Sequence, residues 1–134
     1  MTYDWAEFLT LAEGLFSAPD LPGPPEAALR TAASRAYYAA FHCALQLACC
    51  EGYQPDHSGD DHRRLPAHFR DARHADVTRR KIAKELDRLR DRRNAADYRD
   101  ICIPPKSLAE LAIGMAKSVL QNVNSVITAR MNSQ

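Results

Sequence analysis

The sequence predicts an all-α fold, an up-down helical bundle of about five helices in one domain spanning residues 1–134. Three observations carry that expectation. Apolar residues recur at steps of three and four in every long segment, the signature of one helix face. No pair of alternating runs reads as a β-hairpin, and no internal repeat is present. The breaks between periodic segments are short and rich in proline, glycine and aspartate, which suits antiparallel helices joined by tight connections.

The first helix is expected over about 2–17, where Trp5, Phe8, Leu9, Ala12, Leu15 and Phe16 form an apolar stripe. The stretch from Ser17 to Pro25 holds four prolines and cannot be helical throughout. The second helix, about 25–51, is the longest and is alanine-rich, which favours helix and lets a neighbouring backbone come close, and Leu29, Ala33, Ala36, Tyr37, Ala40, Phe41, Ala44 and Leu45 form its core face. Gly52 is placed to end it in the left-handed conformation. After a polar loop, a short helix at about 62–73 turns Leu65 and Phe69 inward. Asp76 is a candidate N-cap for a fourth helix from about 77 to 98, and Pro104-Pro105 stops anything before it. The last helix, about 106–130, carries Leu108, Leu111, Ala112, Met115, Val119, Val123 and Val126 or Ile127 on one face.

Bulk properties exclude several classes. No apolar run approaches the roughly 20 residues of a membrane span. The start, Met1-Thr2-Tyr3-Asp4-Trp5, lacks the basic and apolar regions of a signal peptide, so a cytoplasmic location without membrane contact is expected. Cys43, Cys49, Cys50 and Cys102 then read as free thiols, with Cys43 and Cys50 as small core residues. No CxxC pair and no HExxH spacing occurs, so neither a metal nor another cofactor is expected. Asp60-Asp61-His62 is too local a cluster to argue for a divalent ion. His57, His68 and His74 lie in polar surroundings and read as exposed. The net charge of +1 conceals an asymmetry, since residues 60–100 hold 13 Lys or Arg against 9 Asp or Glu. A basic region of this kind suits RNA or phosphate, and it suits a solvated helix face equally well.

Two irregularities point to a site. On the fourth helix Ile82, Leu86 and Leu89 define an apolar seam whose next position is Arg93. A guanidinium there must be compensated, because arginine does not shed its charge to escape burial. Asp97, four residues on, is one available partner; a bound anion or a second subunit is another. On the second helix Arg30, Ser34, Tyr38, His42 and Gln46 are spaced strictly by four. Exposed rows usually hold Lys and Glu, whereas hydroxyls, an imidazole and an amide suit a hydrogen-bonded interface or site. Arg35 flanks this row.

The blocks Ser34-Arg35-Ala36-Tyr37-Tyr38-Ala39-Ala40-Phe41 and Arg93-Asn94-Ala95-Ala96-Asp97-Tyr98 resemble those of HEPN domain proteins, specifically the small stand-alone UPF0332-like branch. His62 and Phe69 also stand where that branch tends to have a histidine and a phenylalanine, and the resemblance covers roughly residues 5–128. It implies a helical bundle that forms a homodimer across the motif face, with the two arginines in a shared cleft. It further implies a role in toxin–antitoxin or defence systems, metal-independent endoribonuclease activity, RNA as the target and a nucleotidyltransferase-type antitoxin as partner. Arg93, Asn94, Tyr98 and His42 are the candidate catalytic residues; Arg35, Ser34, Tyr38, Asp97 and His62 are candidates for binding RNA phosphate or lining the dimer cleft. One departure weighs on catalysis: Tyr98 stands where the active family motif has a histidine. A phenol with a pKa near 10 is a poor base at neutral pH. The alternative is a non-catalytic module that binds RNA, a nucleotide or a nucleotidyltransferase partner.

Overall fold

The computed structural model describes residues 3–18, 25–71, 75–100 and 103–132. Among the described residues there are five helices: α1 (Glu7–Ser17), α2 (Pro25–Cys50), α3 (Asp61–Arg70), α4 (Val77–Tyr98) and α5 (Pro105–Asn132). No strand occurs among the described residues. The chain is an all-helical bundle, as its periodicity predicts.

Contacts along the helices establish their directions. Arg30 at the start of α2 meets the end of α4, and Glu51 just beyond α2 meets Arg79 at the start of α4, so these two helices run antiparallel. Trp5 stacks on His42 while Phe8 lies beside Tyr38, which makes α1 antiparallel to α2. Ser118 of α5 bonds Glu85 of α4, and Arg130 pairs with Glu51, so α5 runs beside α2 in the same direction. The result is an up-down bundle of α1, α2, α4 and α5, with α3 as a cross-piece between α2 and α4. Buried residues from all five helices join in one core, where Leu65, Phe69, Ile82, Leu89, Leu108 and Val119 are fully enclosed.

The ends of α2 and α4 follow from local chemistry. Gly52 has φ +96°, and its N–H donates to the Cys49 carbonyl while the Tyr53 N–H donates to Ala48 at 3.0 Å. That pair of bonds is the glycine-dependent C-terminal motif expected at this residue. Asp76 accepts from the Arg79 N–H at 2.8 Å, satisfying one of the orphan donors of α4.

Several expectations need correction. The first helix begins at Glu7 rather than near residue 2, because the Asp4 carboxylate accepts from the Ala6 N–H and turns the backbone before the helix can start. The short helix ends at Arg70. Cys50 is exposed and Cys43 only half-buried; burial, then nearby Asp4, pushes the Cys43 thiol up to about 11. Leu111 is 44% exposed and Ile127 is exposed too, so Ala112 and Val126 carry the buried face of α5 there. His68 is largely buried against Glu51, not exposed. Cys102, His74 and most of the proline-rich loop before α2 lie outside the described residues. No described helix is long and apolar enough to cross a membrane.

Candidate functional site

The last turn of α4 is built by α2. The guanidinium of Arg30 donates to the backbone carbonyls of Ala96 at 3.0 Å, Arg99 at 2.7 Å and Asp100 at 3.2 Å, with a longer contact to Ala95. The Ala96 carbonyl lies at the negative end of the helix and those of Arg99 and Asp100 just beyond it, so a cation suits them. One turn along α2, the Ser34 hydroxyl donates to the Asp97 carboxylate at 3.2 Å, and Ser34 is only 3% exposed. The two sequence blocks around Ser34 and Arg93 therefore meet in space, with 63 residues between those two partners.

Arg93 occupies the seam position between them. Its side chain is 16% exposed and its nearest carboxylate oxygen, on Asp97, is 3.9 Å away, too far for a hydrogen bond. The guanidinium lies over the rings of Tyr37 at 5.2 Å and Tyr98 at 5.9 Å. Its Nε is buried without a hydrogen-bond partner among the described residues. Arg35 repeats the pattern: its Nε is likewise buried and unpartnered, and its guanidinium lies 4.1 Å from the Tyr38 ring centre. Its only described hydrogen bond is a long one of 3.4 Å to Ser34. Buried donors without acceptors are uncommon and destabilising, and these two guanidinium groups belong to one network of contacts, Arg35 through Ser34 and Arg93 through Asp97.

His62, at the start of α3, joins this group through Tyr37. Its Nδ1 meets the Tyr37 hydroxyl, and its ring stacks on Phe41 at 4.4 Å. Burial, then the charges of Arg93 and Arg90, hold its pKa below the usual imidazole value. His42 stacks on Trp5 at 3.7 Å and beside Tyr38. It too is held low, by burial and then by His62. Both imidazoles are therefore neutral near pH 7.

Of the residues singled out by sequence, Arg93, Asp97, Ser34, Arg35, Tyr98 and His62 form one connected cluster. Tyr38 and His42 extend it toward Trp5 and Phe8. Tyr98 is 72% exposed, so its hydroxyl projects into solvent at the rim. Asn94 is half-buried next to Arg93, and no hydrogen bond ties its side chain to a described residue. Sequence reasoning missed Tyr37, which was assigned only to the core, and Arg90, three residues before Arg93 on the same helix. It also gave Arg30 no structural duty beyond its place in the polar row. Nothing local marks Arg30 as a cap for carbonyls more than 60 residues away; the strict four-residue spacing was its only signal.

No metal centre is formed: no cluster of three or more His, Cys, Asp or Glu side chains suited to a metal occurs among the described residues. Asp61 instead organises its own loop, accepting from the Tyr53 hydroxyl at 2.7 Å and from the His57 N–H at 3.0 Å. A separate groove of about 560 Å³ lies between the C-terminal halves of α2 and α5, lined by Cys43, Leu47, Cys50, Val123 and Ile127. It contains none of the cleft residues. No family model, curated protein or solved structure matches the chain.

Proposed function

We propose that the chain is a HEPN-type module of a prokaryotic toxin–antitoxin or defence system, and that the Arg93 cleft binds an RNA phosphate. The observation that carries this reading is the state of Arg93: largely buried, with no hydrogen bond to a described residue, and lying over two tyrosine rings. A phosphate oxygen supplies the bidentate acceptor that such a group lacks. Arg90 adds positive charge near Arg93, and Tyr98, 72% exposed, offers an aromatic surface on which a base can stack. Two copies of the cleft meeting across a homodimer interface would place both Arg93 side chains on one strand. A nucleotidyltransferase-type antitoxin is the partner that the HEPN resemblance implies.

Metal-independent cleavage of the bound RNA is the second reading. It is favoured by the neutral imidazole of His62 beside Arg93. Cleavage by a 2′-hydroxyl needs a proton acceptor, a proton donor and a cation at the phosphorane. Arg93 could meet the last need, and His62 or His42 the first. Tyr98 is a hydrogen-bond donor rather than a base at neutral pH.

The deciding experiment incubates purified protein with end-labelled single-stranded RNA in EDTA, in parallel with a salt titration of binding. Retention of RNA that weakens steeply with salt and is lost in folded Arg93→Ala supports the binding reading. Strand scission lost in the same variant supports cleavage. Wild-type protein that neither binds nor cuts RNA would sink both.

A further inference from the structure

His62 presents a question of tautomer that the cleft itself answers. Tyr37 is 2% exposed, and among the described residues its hydroxyl has one hydrogen-bond partner, the His62 Nδ1. Burial, only partly offset by Arg93 and Arg90, raises the Tyr37 pKa well above that of an ordinary tyrosine, so the phenol keeps its proton. A buried O–H must be given an acceptor or its desolvation goes uncompensated. Nδ1 is that acceptor, and an imidazole nitrogen that accepts carries no hydrogen. The single proton of the neutral ring then resides on Nε2.

The surroundings hold the ring in this neutral form. From α2 it faces Tyr37, Phe41 and His42; from α4 it feels Arg90 and Arg93; on its own helix Asp61 alone pulls the other way. Stacking on Phe41 and Tyr37 restricts its rotation, so the tautomer fixes what Nε2, which bonds no described residue, offers: an N–H donor rather than a lone pair.

We propose that Tyr37 is a positioning residue that locks His62 in its Nε2–H tautomer, making the imidazole a second hydrogen-bond donor to the phosphate held by Arg93. The proposal rests on the reading of the cleft as a phosphate site. It assigns His62 to recognition and leaves the proton acceptor of the cleavage reading to His42 alone, because an Nε2–H imidazole whose Nδ1 already accepts from Tyr37 has no free lone pair with which to take a proton from a 2′-hydroxyl. Together Arg93 and His62 form a charged and a neutral donor from two different helices. That arrangement suits the two non-bridging oxygens of a phosphodiester.

Two measurements test it. Long-range nitrogen–proton NMR of the full chain reads the His62 tautomer directly, without any ligand. The expected pattern is an unprotonated Nδ1 and a protonated Nε2 near pH 7.5. In Tyr37→Phe, which keeps the ring but removes the hydroxyl, the tautomers mix and the His62 pKa rises, since a bond donated to the neutral form has been lost. Binding of a labelled oligouridylate weakens roughly two- to tenfold in Tyr37→Phe, the worth of about one hydrogen bond. His62→Gln, whose amide nitrogen stands near the place of Nε2, loses less affinity than His62→Ala. A protonated Nδ1 in the wild type, or Tyr37→Phe with tautomer, pKa and affinity all unchanged, overturns the proposal. Failure of the parent reading looks different: the NMR pattern appears as expected, yet Arg93→Ala binds oligouridylate as well as wild type. The donor role of His62 falls with it in that case.

Discussion

Replacing Arg93 by methionine separates stability from function. Methionine keeps the length of the side chain and its flexibility while removing the charge. The structure allows the balance to be worked out. Relief of a buried, unpartnered guanidinium nitrogen returns about 1–3 kcal/mol. Against that stand the two ring contacts, at 5.2 and 5.9 Å, each worth about 0.5–1 kcal/mol. The Asp97 pair at 3.9 Å adds only a few tenths of a kcal/mol. The gain and the losses nearly cancel, and the variant is expected to lie within about 1.5 kcal/mol of the wild type in stability, in either direction. For a chain of 134 residues that is a change in Tm of no more than about 6 °C. Affinity for single-stranded RNA should meanwhile fall about 10- to 100-fold, the equivalent of one charge-assisted contact. Urea denaturation gives the first quantity and fluorescence anisotropy with labelled RNA the second. A loss of more than about 2 kcal/mol in stability with RNA binding retained would refute the reasoning, because Arg93 would then be a structural residue whose partners are sufficient.

Two further predictions follow from the ends of the helices and from the titrating groups. Arg30→Met strips the acceptors at the end of α4 of their common donor; about 2–4 kcal/mol is expected, or roughly 10 °C in Tm, with faster amide exchange around Arg99. Unchanged exchange there would mean that water serves those carbonyls equally well. Stability should fall in two stages on acidification. His42 and His62 are held below their ordinary value of 6.5 in the folded protein, so the unfolded chain binds protons first and stability declines below about pH 6.5. Glu51 is desolvated by burial, yet hydrogen bonds from Arg79 and His68 bring its pKa below 4.5. Its contribution is present above that value and is lost as pH drops through the folded pKa. Thermal melts from pH 8 to 3 check both stages, and His62→Gln should flatten the first; a profile level from pH 7 to 5 would contradict the histidine assignment.

What could be read from the sequence was whatever depends on near neighbours. Ile82, Leu86 and Leu89 announce their seam because helical periodicity is local, and Asp76 and Gly52 announce helix ends because capping acts within one turn. Asp4 defeated the same logic by offering the backbone a competing turn two residues on. Leu111 and Cys50 sit at the margin of an apolar face, where a helical repeat that is not a whole number blurs inside from outside. The cleft was harder. The regular row on α2 and the charge on the α4 seam marked both halves, but spacing could not join Ser34 to Asp97, and only the likeness to HEPN blocks placed them together. Tyr37 looked like core because its ring is core; its hydroxyl becomes informative only once His62, 25 residues away, is seen beside it. His68 was misread for the same reason, its partner Glu51 lying 17 residues upstream.

The pairing of α2 with α4 is anchored at two places. Near one end Arg30 grips the carbonyls of Ala96, Arg99 and Asp100; near the other Glu51 grips Arg79, with His68 and Arg130 joining from α3 and α5. From Arg30 to Glu51 is a span of about 30 Å along the helix axis. A rod fastened at both ends can neither slide nor roll against its neighbour without breaking one fastening. Cavities opened between the anchors, as by Leu86→Ala, should therefore lower the melting temperature while leaving the spacing of Ser34, Arg93 and Asp97 nearly intact. Sequence drift in the middle of the bundle is mechanically insulated from the cleft, whereas a change at Glu51, far from Arg93, is not.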